Sequence, residues 1–157
     1  MTSEDVALLL TEKNLTLSVA ESCTGGMVGS LLTSIPGSSE FFLGGVVTYS
    51  NLSKENILHV SPSTLEQFGA VSKETALEMA VGVMNLFDSD VSAAVTGIAG
   101  PGGGTELKPV GLVFTSVSDG KTSDVRKHLF NGDRKTIRES AAKAVLMHIE
   151  DLLRNRI

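Results

Sequence analysis

Residues 91–111 read VSAAVTGIAGPGGGTELKPVG. The first six, Val91 to Thr96, are continuous in small apolar side chains, the pattern of a strand covered on both faces. A strand of that kind needs a layer of other structure on each side, which points to an α/β fold. The glycine-rich run that follows starts directly on this strand and resumes directly as another, VGLVFTSV (Val110–Val117). Flexible linkers seldom do that, so the run reads as a ligand-binding loop rather than a spacer. Asp119 and Gly120 then turn the chain into SDVRKHLF, which completes an antiparallel hairpin.

Outward from this stretch, segment types alternate. LTLSVA (Leu15–Ala20) and VVTYS (Val46–Ser50) have the length and branching of strands. Thr2 or Ser3 can cap a helix running to about Glu12, with Val6, Leu9 and Leu10 on its buried face. MVGSLLTSI is a helix closed by Pro36 and Gly37, NLSKENILHV is helix or turn, and Ser61-Pro62 starts another helix. Ser72 caps the strongest helix, ETALEMAVGVMNLF, on which Ala76, Met79, Ala80 and Val83 share a face. DRKTIRESAAKAVLMHIEDLLRN closes the chain with Ile137, Ala141, Ala144, Val145 and Ile149 inward. No linker, repeat or low-complexity tract interrupts the series, so residues 1–157 read as one α/β domain with a mixed sheet.

Composition narrows the function by exclusion. The chain has 157 residues, 41% of them apolar, with a net charge of −5, 16 glycines, one Cys, one Tyr and no Trp. An acidic chain argues against a nucleic-acid coat or a polybasic membrane anchor, both of which need an extended positive surface. Cys23 alone rules out an internal disulfide and a multi-Cys zinc cage, and fits a reducing compartment. The opening MTSEDVALLLTEKN lacks a signal-peptide pattern, and no stretch is apolar enough to span a bilayer, so a cytoplasmic location with no membrane partner is expected.

Ligands of such sheets gather beyond the carboxyl ends of the strands, where three polar elements fall. In ESCTGG (Glu21–Gly26) the amides sit at a helix N-terminus, a ready anion or oxyanion site, and Ser22, Cys23 and Thr24 each offer a nucleophile or donor. The same residues also make an ordinary capped turn. The loop is neither a P-loop, since no Lys follows the glycines, nor a G-x-S-x-G elbow. No histidine is placed to activate Cys23, which reads as a small packed side chain beside the working residue. In VVTYSNLSK, Tyr49 and Lys54 can join Ser22 in proton transfer if the amine is desolvated; an exposed Lys on a helix is the commoner case. In TGIAGPGGGTELKPVG, successive amides form an anion nest to which Thr96, Thr105 and Lys108 add donors. Arg134 and Arg138, at the start of the last helix, can clamp an anion or lie idle on its surface.

Taken in order, ESCTGG, VVTYSNLSK, FGAVS, TGIAGPGGGTELKPVG and FNGDRKTIRESA resemble the CinA C-terminal domain family, from about Leu15 to Leu153. The resemblance implies a three-layer α/β/α domain with a mixed, mainly parallel sheet. It further implies a nicotinamide mononucleotide (NMN) deamidase of the stand-alone PncC type. Such an enzyme hydrolyses the carboxamide to nicotinate mononucleotide and ammonia in pyridine-nucleotide salvage, without cofactor or metal. Carried over by position, the nucleophile falls on Ser22 and its partners on Lys54 and Tyr49. Substrate-holding positions fall on Thr24, Gly25, Gly26, Thr96, Gly97, Gly100, Pro101, Gly102, Gly103, Thr105, Lys108 and Arg134. In this scheme the amides near Thr24 to Gly26 hold the oxyanion, and the Ser22 proton passes to Lys54 directly or through Tyr49. A homo-oligomer is the family expectation. Leu107 replaces an acidic residue common in relatives, and Leu43-Gly44-Gly45 stands where many carry a charge. The alternatives are a nucleotide-binding module without turnover, linked to competence or DNA damage, and an amidase for another small carboxamide.

Overall fold

The computed structural model describes residues 2–156, the Thr2 side chain apart. In chain order it runs α1 (Thr2–Lys13), β1 (Leu17–Glu21), α2 (Met27–Thr33), β2 (Phe42–Val47), α3 (Asn51–Leu58), α4 (Pro62–Phe68), α5 (Lys73–Phe87), β3 (Val91–Gly97), β4 (Leu112–Ser118), β5 (Ser123–Leu129) and α6 (Arg134–Asn155). The strands lie in the order β2-β1-β3-β4-β5. β1 pairs in parallel with β2 and β3, whereas β4 runs antiparallel to both β3 and β5, so four of the five strands point one way.

Strand alternation divides the core. Leu17, Val19, Val91, Ala93, Val95, Val113 and Val117 pack against α1, α2 and α6, while Ala20 and Ala94 pack against α5 with Leu58 of α3 and Leu65 of α4. The expected three-layer α/β/α arrangement follows. The α5 face is tied to the sheet by three buried serines on adjacent strands. Ser116, Ser92 and Ser18 donate to the carbonyls of Ala76, Ala80 and Val83, one helical turn after another. A serine donating to a helical carbonyl is satisfied without water, so these hydroxyls cost little to bury.

Several boundaries differ from the sequence expectation. β1 begins at Leu17 and takes in Glu21. The second strand is Phe42–Val47 rather than Val46–Ser50. Its centre, Gly44-Gly45, has poor strand propensity and hid it, but a Cβ at Gly45 would lie 2.8 Å from the Val19 side chain, so close strand approach requires the glycine there. Asn51–Leu58 is helix, capped by Ser50, whose hydroxyl accepts from the Ser53 amide. On α6 the inward set includes Ala142, Leu146 and His148, and Ala144 is only half-buried. Ser3 lies inside α1 and its hydroxyl donates to Glu4 instead of capping; the Thr2 alternative falls outside the described side chains. No described helix is long and apolar enough to cross a membrane.

Gly82 marks a close approach between helices: a Cβ there would sit 2.1 Å from the Leu58 carbonyl oxygen at the end of α3. Helix propensity alone makes Gly→Ala stabilising by about 1 kcal/mol at a helix interior. Here we expect the opposite sign, with Gly82→Ala losing about 2 kcal/mol in urea unfolding because backbone must move to admit the methyl.

Candidate active site

The Ser22–Lys54 pair stands at the carboxyl ends of β1 and β2. Ser22 follows β1 directly, and its amide donates to the Val95 carbonyl of β3. Lys54 is on the second turn of α3, 1% exposed, so the solvated-helix reading of this residue is overturned. Its Nζ lies 3.1 Å from Ser22 Oγ, 2.7 Å from the Thr48 carbonyl and 3.4 Å from the Tyr49 carbonyl. Burial lowers its pKa from 10.5 to about 8.

This arrangement suits both protonation states. As an ammonium, Lys54 has three hydrogens for three oxygens. As an amine, it keeps two hydrogens for the two carbonyls and turns its lone pair to Ser22, the only partner that can donate in return. A proton can therefore pass between Ser22 and Lys54 with no heavy atom moving.

Cys23 is buried beside this pair. Burial pushes its thiol up to about 11, which keeps it protonated and a poor nucleophile at neutral pH. The ESCTGG loop is held by two groups that pattern reading did not place. Glu21, also buried, turns its carboxylate to the start of α2: Oε1 accepts from the Thr24 hydroxyl (2.5 Å) and the amides of Gly26 (3.2 Å) and Val28 (2.9 Å), and Oε2 from the Gly29 amide (3.1 Å). Arg138 donates through Nε to the Cys23 carbonyl (3.0 Å) and through Nη2 to the Thr24 carbonyl (3.1 Å). Gly26 caps α2 at φ +106°, a conformation strained for any other residue.

These contacts correct the expected oxyanion donors. The anion seat at the N-terminus of α2 is already filled by Glu21, and the Gly25 amide donates to the Ser22 carbonyl. Thr24 is fully buried with its hydroxyl on Glu21. Within the loop, no acceptor on another residue is found for the amides of Cys23 and Thr24 among the described residues, whereas the Gly26 amide is held by Glu21.

The remaining predicted positions separate. Arg134 donates through Nη1 to the Gly100 carbonyl (2.6 Å) and through Nη2 to the Tyr49 hydroxyl (3.2 Å). The Tyr49 ring is 62% exposed, so its carbonyl reaches Lys54 while its hydroxyl faces Arg134. A relay through that hydroxyl is not built here. Pro101, Gly102 and Gly103 are exposed, and Gly102 has open space around it. Thr96 and Gly97 are framework: the Thr96 hydroxyl donates to the Ala70 carbonyl, and Gly97 leaves room for Val113 on β4. Thr105 and Lys108 close a turn on each other, and Lys108 Nζ donates to the Phe68 carbonyl, with no contact to Ser22, Lys54 or Arg134 among the described residues. Thr48 Oγ1 is fully buried and has no hydrogen-bond partner among the described residues.

A three-layer α/β/α domain carrying a buried Ser–Lys pair, a carboxylate-capped Ser-Cys-Thr-Gly-Gly loop and a Gly-rich loop tied to an arginine defines a specific class of fold and site. The CinA C-terminal domain matches residues 1–153, and the chain belongs to that family. It is 52% identical over 149 residues to a CinA-like protein of Endomicrobium trichonymphae, covering 95% of this chain and 34% of that protein. A CinA-like protein of Thermotoga neapolitana is 48% identical over 153 residues, covering 98% and 37%. The chain thus spans about a third of the length of the curated relatives it matches. Among solved structures, it is similar to the competence/damage inducible protein CihA of Agrobacterium tumefaciens (TM-score 0.92, 38% identity, 98% of this chain and 96% of that chain). It is likewise similar to the competence damage-inducible protein A of Klebsiella pneumoniae (TM-score 0.96, 32% identity, 99% and 97%).

The buried lysine also marks the unfolding equilibrium. Because its folded pKa of about 8 lies below the ordinary 10.5, the native state releases its proton first, and stability rises with pH between those values. In Lys54→Met this contribution is missing. We expect wild type to gain on the order of 3 kcal/mol on the variant between pH 7.5 and 10.5, read from paired urea titrations, since all other groups titrate in both chains.

Proposed function

We propose that this chain hydrolyses the carboxamide of nicotinamide mononucleotide, giving nicotinate mononucleotide and ammonia. The observation that carries the reading is Lys54, buried, lowered to about 8 and within 3.1 Å of Ser22 Oγ. A lysine so placed is a general base near neutral pH, and it needs no histidine.

Ser22 Oγ attacks the carboxamide carbon as its proton moves to the Lys54 amine. Negative charge on the carboxamide oxygen is met by the amides of Cys23 and Thr24, held in place from behind by Arg138. The C–N bond breaks as Lys54 passes its proton to the leaving nitrogen, which departs as ammonia. Water then attacks the Ser22 ester, Lys54 takes its proton, and the proton returns to Ser22 Oγ as nicotinate mononucleotide leaves. Tyr49, with its ring exposed and its hydroxyl on Arg134, forms the rim against which the nucleotide lies. Arg134 and the open amides at Gly102 and Gly103 are the donors for its phosphate, because the α2 terminus is taken by Glu21.

Ammonia release from nicotinamide mononucleotide tests the reading. Ser22→Ala and Lys54→Ala should each cut kcat by about a thousandfold or more, whereas Cys23→Ala should stay within about threefold of wild type. Loss confined to Cys23→Ala would move the nucleophile to the thiol. Calorimetric binding without ammonia release would make the chain a nucleotide-binding module, and turnover of a different carboxamide in a substrate panel would change the substrate.

The pH profile is a separate check. The base must be neutral to act, so kcat/KM should climb through pH about 8 and level off above it, following Lys54. A profile flat from pH 6 to 9 would remove Lys54 from the role of base.

A further inference from the structure

Several of the cations in this acidic chain are committed. Arg126 pairs with Asp151, Arg154 with Glu150 and Arg156 with Asp119, while Arg134, Arg138 and Lys54 are spent in the site described above. Three further lysines meet in one place. Lys73, at the first position of α5, Lys108, at the return of the Gly-rich loop, and Lys127, on β5, line one open cavity of about 330 Å³. None of the three forms an ion pair among the described residues. Phe68 and Phe114 supply the apolar wall, and Glu74 adds one carboxylate. The strand register sets Phe114 directly opposite Lys127, and Lys108 is drawn in by its bond to the Phe68 carbonyl. The cavity shares no lining residue with Ser22, Lys54, Tyr49 or Arg134.

Three ammonium groups around one hollow repel each other, and in a chain of net charge −5 no general excess of lysine explains their meeting. An anion seated among them would turn that repulsion into attraction. The two phenylalanine rings exclude a bare hydrated ion as the best fit, since they offer an apolar face to whatever carries the charge. Glu74 asks for a hydrogen-bond donor on the same ligand, such as a hydroxyl or an exocyclic amine. A volume of this size is at the lower end of small-molecule sites.

We propose that this cavity is a second binding site, separate from the Ser22–Lys54 site, for a nucleoside monophosphate. The planar base lies on Phe68 and Phe114, the phosphate lies among Lys73, Lys108 and Lys127, and Glu74 accepts from the ligand's donors.

Adenosine 5′-monophosphate and inorganic phosphate are the probes, titrated calorimetrically into the full chain. The variants are Lys73→Ala/Lys127→Ala, the reversal Lys127→Glu and, as a control at the first site, Arg134→Ala. Lys73 and Lys127 are exposed, so both variants are expected to keep the wild-type circular dichroism and urea midpoint. Expected are saturable binding of the nucleotide, at least about tenfold weaker binding of phosphate alone, and weakening as salt rises. Both lysine variants should lose about tenfold or more in affinity, and Arg134→Ala should stay within about twofold. Absence of saturable binding at millimolar nucleotide overturns the proposal. So does unchanged affinity in the lysine variants, phosphate binding as tight as the nucleotide, or loss of binding in Arg134→Ala, which would assign the event to the first site.

Discussion

The desolvation of the Lys54 amine is the constraint around which the Ser22–Lys54 pair and its surroundings are arranged. An ammonium buried among carbonyls is worse solvated than in water, and the protein answers by lowering its pKa to about 8 instead of pairing it with a carboxylate. A carboxylate partner would have held the amine charged far above neutral pH. The nearest acid in sequence to Ser22, Glu21, is turned away from Lys54 and into the amides of α2. The same site thus holds a buried cation and a buried anion yet keeps them apart, each satisfied by backbone dipoles of opposite sense.

That separation also decides what the Ser-Cys-Thr-Gly-Gly loop can do. A strand-to-helix loop with paired glycines invites the reading that its helix N-terminus receives the ligand's anion. Glu21 already supplies the negative charge there, with two amides on one oxygen and one on the other, so that terminus has no open seat for the anion of a ligand. Arg138 meanwhile uses its guanidinium on the carbonyls of Cys23 and Thr24, pulling the loop's acceptors to one side. What reaches the reacting centre is a short stretch of backbone around a serine, braced from both directions.

Local pattern carried much of this into the sequence reading, and long-range contact accounts for the rest. β3, α5, the hairpin and α6 were legible because each is a run of regular periodicity bounded by glycine, proline or a capping residue. β2 was displaced because Gly44 and Gly45 look like a break until Val19 is seen against them. Lys54 gave no sign of burial, since nothing within α3 reports what the neighbouring loops cover. Glu21 lies only a few residues before a helix start, where an acid favours the dipole, and that signal was available. Arg138 follows Arg134 by four residues on the first turns of α6, which places both on one face, yet only the fold shows that one holds the Ser-Cys-Thr-Gly-Gly loop and the other the Gly-rich loop.

The depth at which Lys54 sits is set far from it. Ser18, Ser92 and Ser116 draw α5 down by its carbonyls, and a longer side chain at any of them would hold the helix off the sheet. With α5 low, the missing Cβ of Gly82 lets the end of α3 settle against it through the Leu58 carbonyl. α3 is anchored there at its C-terminus and at Ser50 by its cap, so its second turn, which carries Lys54, has little freedom to rise. Were α3 an ångström or two further out, water would reach the amine, its pKa would return toward that of an ordinary lysine, and the neutral amine whose lone pair can face Ser22 would become far rarer near pH 8. Three strand serines and one helix glycine, none of which touches Ser22, therefore help to set how deeply Lys54 is buried.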